Sequence, residues 1–270
     1  MNPEILDFFQ LQLTEWPLAG DNYSALSRVC KKPFSVGNLN GFVQYNPGRA
    51  VSTLAKVDKK DIEKRKCFLC GHNRPPEQKA LEILPGWDLL VNPFPILPYH
   101  FTIAGRDHVP QKLSIETGKA LSRKLPGMVV FFNDDGAGAS APDHVHFQAV
   151  PKSELPLINL LEKTGEEHIK DLNLPFLLLE REEDIEASPN PANTFFLIDD
   201  SGEERIFSIP RRAHRPHCYF QEGKERRAVS PGSIDMSGII VTPFEEDFHA
   251  LTDEEIEEIY REVGFPAKGS

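Results

Sequence analysis

The chain has 270 residues, of which 40% are hydrophobic and 26% are charged, so it can bury the core of one large domain or of two small ones. Its formal net charge of −11 repels polyphosphate backbones, which argues against nucleic acid as a partner. No apolar run approaches the roughly 20 residues that span a bilayer, and the acidic N-terminal stretch lacks the basic region of a secretory signal. We therefore expect a cytoplasmic protein with no membrane partner.

The first half of the chain reads as a helix followed by strands and polar loops. Apolar periodicity predicts an amphipathic helix over residues 5–16, and residues 40–45 have the pattern of a strand. Two further strands are predicted at residues 88–91 and 101–104, and a proline-rich turn joins them. The run "PGMVVFFN", residues 126–133, has the composition of a buried strand.

The second half predicts another mixture of helices and strands. Residues 153–165 have a helical pattern, and residues 193–199 and 204–210 read as a strand pair around a short turn. Near the end, Thr252 and Glu255 form the capping box of a C-terminal helix.

Two segments of the chain echo each other. Both "FTIAGRDHVPQ" and "IFSIPRRAHRPHC" run from a strand through basic residues to histidine and then proline. The echo predicts two related α+β halves, residues 1–165 and 166–270, of which the second is degenerate.

The stretch "HVHFQA", residues 144–149, alternates polar and apolar side chains. In a strand, His144, His146 and Gln148 would share one face, whereas on a helix they would scatter. The simpler interpretation is a strand with one solvent-exposed face and no special function. The functional interpretation draws on the preceding residues 136–140, a glycine-containing turn suited to binding an anion, because a neutral imidazole beside a phosphate is a competent nucleophile.

A metal site is predicted from Cys67 and Cys70, which have the two-residue spacing of a zinc knuckle. His108 and His144 can complete a Cys₂His₂ set, and four protein ligands would make the zinc structural. Two other histidines are rival ligands: His72 and His100. A redox pair, or two thiols without a metal, remains the alternative interpretation.

Together these motifs resemble the histidine-triad (HIT-like) superfamily, in the branch of galactose-1-phosphate uridylyltransferase, diadenosine tetraphosphate phosphorylase and GDP-galactose phosphorylase. The resemblance runs in family order through "CFLC", "LVNPFPILPYHFTI", "GRDHVPQ" and "FFNDDGAGASAPDHVHFQAV". It implies an α+β fold with a mostly antiparallel sheet, flanking helices and the strand of His146 near the middle. The family often dimerises, so a homodimer is an open expectation.

The resemblance also implies roles for individual residues. His146 would attack the α-phosphate of a nucleotide, and Gln148 stands where hydrolytic members carry a third histidine. Because glutamine cannot pass a proton to water, the nucleotidyl-histidine would resist hydrolysis and react instead with phosphate or a sugar phosphate. The other implied roles are ribose contact for Asn92, phosphate binding for Asn133, Gly138 and Ser140, and zinc binding for Cys67, Cys70, His108 and His144. Candidates for the positive charge that phosphoryl transfer needs are Arg49, Lys56, Arg106, Lys152, Arg211 and Arg212.

Two departures favour the phosphorylase side of the branch. The loop before His144 is one residue longer than in the uridylyltransferase, and Val145 replaces the proline of that enzyme. The leading hypothesis is a phosphorylase-type nucleotidyltransferase that acts on an NDP-sugar or a dinucleoside polyphosphate, with inorganic phosphate as acceptor. The alternatives are a nucleotide hydrolase of the same superfamily and a non-catalytic, zinc-containing protein that binds nucleotides.

Overall fold

The computed structural model describes residues 2–54, 59–164, 174 and 177–266. Within these ranges no helix combines the length and the apolar character that a membrane crossing requires. The helices are α1 (Pro3–Glu15), α2 (Pro17–Leu26), α3 (Ala50–Thr53), α4 (Lys59–Ile62), α5 (Ile115–Lys124), α6 (Pro156–Thr164), α7 (Glu182–Ile185), α8 (Ser233–Met236), α9 (Glu245–Ala250) and α10 (Asp253–Val263). The strands are β1 (Cys30–Val36), β2 (Leu39–Tyr45), β3 (Leu81–Leu84), β4 (Trp87–Val91), β5 (Phe101–Gly105), β6 (Met128–Asn133), β7 (His146–Pro151), β8 (Glu180–Arg181), β9 (Ala192–Ile198), β10 (Glu204–Pro210) and β11 (Ile239–Thr242).

The main sheet has eight strands in the order β3-β4-β5-β7-β6-β9-β10-β8, and all neighbours in it are antiparallel. The predicted α+β fold with a mostly antiparallel sheet is therefore confirmed. Strand β7 lies fourth in this order, so the expected central position of the strand that carries His146 is also confirmed. Strands from both sides of residue 165 join this one sheet, and the division into two related halves stays a prediction.

A smaller sheet has the order β1-β2-β11, in which β1 is antiparallel and β11 parallel to β2. Strand β11 comes from the C-terminal part of the chain, so this sheet ties the two ends of the sequence together. It packs with α10, which contacts β1, and with α6, which contacts β2.

Apolar side chains cover both faces of the main sheet, which explains the uninterrupted hydrophobic run of β6. Phe131 packs in the core that includes α6, α10 and the smaller sheet. Its neighbours Val130 and Phe132 face the opposite core, which includes α1, α5 and Phe147 of β7. Alternation along the strand thus fills two cores at once.

The predicted elements occur with small shifts. The N-terminal helix stops at Glu15 and a second helix begins at Pro17, because proline has no N–H to continue the first one. The C-terminal capping box is present: the Thr252 hydroxyl accepts from the Glu255 N–H at 3.2 Å, and the Glu255 carboxylate accepts from the Thr252 N–H at 3.1 Å. Gly165, the expected end of the α6 helix, lies outside the described residues.

Candidate active site

The alternating stretch forms a strand only from His146 onward. His146 pairs with Ala104 of β5, and Gln148 pairs with Phe131 of β6. The prediction that His144 shares this strand face is wrong. The N–H of His144 donates to the carbonyl of Ala141 in a turn, at 3.1 Å, so its ring leaves the row and joins a cluster of cysteines and histidine.

The His146 ring is buried, with 3% of the residue exposed, and its orientation is fixed by a hydrogen bond. Nδ1 lies 2.9 Å from the carbonyl oxygen of His144 and donates to it. The proton is therefore on Nδ1, and Nε2 keeps its lone pair. Burial lowers the pKa of His146 to about 4, although the bond to the His144 carbonyl favours the charged form.

Gln111 holds the start of β7 in place. Its Oε1 accepts from the N–H of His146 at 2.9 Å, and its Nε2 donates to the carbonyls of His146, at 3.0 Å, and Asn133, at 2.9 Å. The side chain thus bridges the ends of β6 and β7 just beyond their last backbone pair. Sequence analysis missed Gln111, because a lone glutamine after a proline carries no local signal.

Gln148 is oriented by a buried histidine. His100 Nε2 lies 2.8 Å from Gln148 Oε1, while His100 Nδ1 accepts from the N–H of Ile96 at 3.3 Å. Burial, with help from the charge of Arg49, lowers the pKa of His100 to about 3, so the ring is neutral and donates through Nε2. Because the amide oxygen is engaged, the amide nitrogen of Gln148 remains as the donor. His100 is therefore a partner of Gln148 and not the rival zinc ligand considered from sequence.

A cavity of about 620 Å³ opens beside these residues. Its lining includes every residue that the resemblance assigned to catalysis or substrate binding: Asn92, Asn133, Gly138, Ser140, His146 and Gln148. Asn92 is held at the rim by two hydrogen bonds, one from its Nδ2 to the Thr102 hydroxyl at 3.2 Å and one to its Oδ1 from the N–H of Phe94 at 2.9 Å. The structure thus brings these side chains to one cavity of nucleotide size.

Asn133 is oriented by donors from a distant part of the chain. Its Oδ1 accepts from Asn193 Nδ2 at 2.8 Å and from Ser233, through the hydroxyl at 2.6 Å and the N–H at 3.0 Å. Three donors on one oxygen leave the amide nitrogen of Asn133 as its remaining polar group. Asn133 therefore presents a donor, which suits phosphate oxygens.

A buried arginine supports this network from behind. Arg211 is 1% exposed, and its Nη1 donates to Asn193 Oδ1 at 2.7 Å and to the Pro231 carbonyl at 3.0 Å. Asn193 in turn donates to the carbonyl of Ala137, in the loop that leads to Gly138, at 2.7 Å. Arg211 thus joins the cavity loop to the C-terminal part of the chain.

The loop at Gly138 packs closely against another backbone. Gly138 has φ of +96°, and a Cβ added there would lie 2.7 Å from the Cα of Gly232 and 2.8 Å from the Pro231 carbonyl oxygen. Only glycine combines this conformation with this approach. The loop and the segment of residues 230–235 therefore form one wall of the cavity.

The six basic residues proposed from sequence to supply positive charge lie in different places. Arg49 lines the cavity, and Lys56 lies outside the described residues. Four others are engaged elsewhere: Arg106 pairs with Glu82 and Asp88, Lys152 pairs with Glu162 and Asp200, Arg211 is buried in the network above, and Arg212 lies over the Phe265 ring. Two arginines that sequence analysis missed also line the cavity, Arg65 and Arg215.

The predicted metal ligands Cys67, Cys70, His108 and His144 meet in one cluster, with their ligand atoms all within 4.8 Å of one another. Sγ of Cys67 lies 3.4 Å from Nδ1 of His144, and Sγ of Cys70 lies 3.3 Å from Nδ1 of His108. The two Nδ1 atoms are 3.3 Å apart. The rival His72 is exposed and does not join the cluster.

The spacing of these atoms fits a tetrahedral ion. Zinc ligands at about 2.0–2.3 Å from the metal stand about 3.3–3.8 Å from one another. Nε2 of His144 donates to the Gly105 carbonyl at 2.7 Å, which leaves Nδ1 as the ligand atom. Burial opposes the Cys67 thiolate, yet the neighbouring His144 ring and hydrogen bonds from two backbone N–H groups lower the pKa of Cys67 to about 6. The cluster could therefore bind a metal, and its donor set suits zinc.

Comparison with solved structures relates the fold to that of yeast Ap4A phosphorylase Apa2. The chain is 14% identical in sequence to yeast Ap4A phosphorylase Apa2, solved in complex with Ap4A. The two structures match with a TM-score of 0.59, and the match covers 96% of this chain and 99% of Apa2. The complex of Apa2 with AMP gives the same identity, a TM-score of 0.58, and coverage of 96% and 98%. An ADP-glucose phosphorylase from Arabidopsis thaliana with bound ADP-glucose matches at 14% identity and a TM-score of 0.32, over 87% and 99% of the two chains. The likeness to Apa2 confirms the expected HIT-like fold.

Comparison of sequences identifies a family from the first part of the chain. No curated protein matches the chain. A protein-family profile described as a domain of unknown function, DUF4922, matches residues 8–151. That range holds His146, Gln148 and the four cluster residues, and it is more than half of the sequence. The chain therefore belongs to the DUF4922 family.

Proposed function

We propose that this protein is a phosphorylase-type nucleotidyltransferase that acts by double displacement through His146. The observation that carries the proposal is the His146 imidazole, whose Nδ1 is bound to the His144 carbonyl at 2.9 Å and whose ring lines a cavity of about 620 Å³ together with Gly138 and Gln148. The fold shared with yeast Ap4A phosphorylase, solved with Ap4A and with AMP, supports a nucleotide as ligand. The substrate would be an NDP-sugar or a dinucleoside polyphosphate.

In the first step, the Nε2 lone pair of His146 attacks the α-phosphorus of the nucleotide. A P–N bond forms, the bond from phosphorus to the bridging oxygen breaks, and the leaving phosphate keeps the electron pair. The Nδ1–H bond to the His144 carbonyl stabilises the positive charge that develops on the ring. In the second step, an oxygen of inorganic phosphate attacks the same phosphorus, the P–N electrons return to Nε2, and a nucleoside diphosphate leaves.

Gln148 gives the physical reason for phosphate rather than water as acceptor. Its oxygen is engaged by His100 at 2.8 Å, so its NH₂ group can donate to phosphoryl oxygens as charge builds on them. A carboxamide neither gains nor loses a proton as a titratable group near neutral pH, so it cannot act as a general base for water. Asn133, whose amide nitrogen is also the remaining donor, would bind the same phosphoryl group from the end of β6.

The Cys67, Cys70, His108 and His144 cluster would hold zinc in a structural role. Four protein ligands leave no open coordination position, so the ion would stabilise the local fold and would not contact the substrate. His144 links the cluster to the nucleophile, because its ring belongs to the cluster and its carbonyl accepts from His146 Nδ1. Fixing the His144 ring therefore also fixes the carbonyl that orients His146.

The test is a phosphorolysis screen followed by labelling. ADP-, GDP- and UDP-sugars and diadenosine polyphosphates are incubated with the protein and inorganic phosphate, and nucleoside diphosphate is detected. For a substrate labelled at the α-phosphate, we expect the wild-type chain to retain label after denaturation and His146→Ala to retain none. His249→Ala, whose side chain is 69% exposed and outside the cavity lining, is the matched control and should label normally.

Three results would contradict the proposal. Labelling of His146→Ala at the wild-type rate would assign the nucleophile elsewhere. Release of nucleoside monophosphate at equal rates with and without phosphate would identify a hydrolase. Intact recovery of every nucleotide after long incubation would identify a binding protein instead.

A further inference from the structure

A second polar cluster lines the cavity and has no part in the chemistry above. It consists of His214, Arg215 and Ser230. Nε of Arg215 donates to the Ser230 hydroxyl oxygen at 3.0 Å, and the same oxygen lies 3.1 Å from Nε2 of His214. The serine oxygen accepts from the guanidinium, and the Ser230–His214 hydrogen bond can run in either direction, depending on which ring nitrogen of His214 carries the proton.

The charges of these side chains decide what the cluster offers to a ligand. Burial, together with the charges of Arg215 and Arg211, lowers the pKa of His214 to about 4, so the ring is neutral. The guanidinium of Arg215 lies 4.2 Å from the centroid of the Tyr219 ring, and this contact restrains the guanidinium plane. The cluster therefore offers a ligand one cation, Arg215, beside a neutral imidazole and a hydroxyl.

The position of the cluster relates it to the reacting phosphate. Ser230 directly precedes Pro231 and Gly232, the backbone that packs against Gly138 in the cavity loop. The next residue, Ser233, holds the side chain of Asn133 with a 2.6 Å hydrogen bond. Ser230 is thus on the segment that forms the wall beside the phosphate-binding loop. A ligand that reaches both the loop and this cluster must carry several acceptor oxygens next to the transferred group.

We propose that His214, Arg215 and Ser230 form an oxyanion subsite for the phosphate exchanged at His146. It would bind the leaving phosphate of the substrate in the first step and inorganic phosphate in the second. Both occupy the same place, because attack and departure on phosphorus are in line with the histidine nitrogen. The inference rests on the proposed function. It also supplies a local positive charge that a protein of net charge −11 needs at a phosphate site.

The test compares the phosphate dependence of turnover in paired variants of the full chain. Ser230→Ala removes the hydroxyl that links the other two residues, and Ser230→Thr keeps it. Arg215→Gln removes the cation. Arg212→Gln is the matched control, since the Arg212 guanidinium lies 6.0 Å from the centroid of the Phe265 ring and does not line the cavity.

We expect the phosphate concentration for half-maximal rate to rise at least about tenfold in Arg215→Gln and several-fold in Ser230→Ala, as for loss of charge-assisted hydrogen bonds. Ser230→Thr and Arg212→Gln should keep the wild-type value. Affinity for AMP, measured by calorimetry, should stay within about twofold in every variant, because in the proposed mechanism the phosphate of a nucleoside monophosphate would lie at His146 and not in the subsite.

The outcomes separate the two proposals. If the wild-type chain forms no nucleotidyl-histidine, the proposed function fails. If it does, and Arg215→Gln and Ser230→Ala keep the wild-type phosphate dependence, only the subsite is overturned. If AMP affinity falls as steeply as phosphate affinity, the cluster shapes the whole cavity and the assignment to the exchanged phosphate is wrong. Should Arg215→Gln not fold, the Ser230→Ala and Ser230→Thr pair gives the decision.

Discussion

Replacing Gly138 by alanine tests whether close backbone packing builds the phosphate side of the cavity. The new Cβ would lie 2.7 Å from the Cα of Gly232 and 2.8 Å from the carbonyl oxygen of Pro231, and neither backbone atom can rotate away. The positive φ of +96° adds a conformational cost of about 1–2 kcal/mol for a residue with a side chain. Relieving the overlap costs about 1–3 kcal/mol more. We therefore expect Gly138→Ala to lower the free energy of unfolding by about 2–5 kcal/mol.

A matched variant separates the two terms. Gly202 has φ of +88° and no heavy atom within 4 Å of a built Cβ, so Gly202→Ala carries the conformational cost alone. Urea denaturation should show a loss larger by about 1–3 kcal/mol in Gly138→Ala than in Gly202→Ala. Phosphorolysis by Gly138→Ala should fall about 100-fold in kcat/KM, as for a displacement near 1 Å at the reacting group. Equal stability losses in the two variants, with normal turnover in Gly138→Ala, would refute the packing argument.

Three further predictions concern the metal cluster and the glutamine. His108→Ala should reduce zinc from about one equivalent per chain to less than half, measured by elemental analysis, and lower Tm, while labelling of the nucleophile by nucleotide persists. Iodoacetamide should modify the exposed Cys30 in the metal-loaded protein but spare Cys218, whose pKa is raised to about 11 by burial. Removal of the metal should make Cys67 react as well, since its pKa is about 6, and reaction of Cys67 in metal-loaded protein would count against the cluster. His100→Leu removes the hydrogen-bond donor to Gln148 and should lower kcat for phosphorolysis at least about tenfold, with little change in KM for phosphate. An unchanged kcat would show that His100 does not position the Gln148 amide.

Local sequence patterns predicted the parts of the site whose members are close in the chain. The two-residue spacing of Cys67 and Cys70 and the alternation from His146 onward depend on backbone geometry within a few residues. The same alternation gave a wrong prediction at His144, because the pattern begins before the strand does. His144 lies in a turn whose hydrogen bond reaches Ala141, and its ring contacts the cysteines instead of the cavity.

Contacts between distant residues could not be predicted from patterns. Ser233 reaches Asn133 across 100 positions, and Arg215 enters the cavity from the region that pattern analysis assigned to a degenerate half. Gln111 holds the start of β7, and although it ends the motif "GRDHVPQ", the motif by itself does not show what its side chain binds. These residues are specified by which strands become neighbours, a property of the whole topology rather than of any short stretch.

The functional unit extends beyond the range that the family profile matches. Residues 8–151 contain the proposed nucleophile, His146, and all four cluster residues. Yet the oxygen of Asn133 is held by Asn193 and Ser233, and Gly138 packs against Gly232. All three supporting residues follow residue 151, and β9, which carries Asn193, pairs directly with β6. Without that C-terminal part, β6 would lose one of its two neighbouring strands and the cavity loop its wall, so the matched segment carries the proposed reactive groups while the rest of the chain positions them.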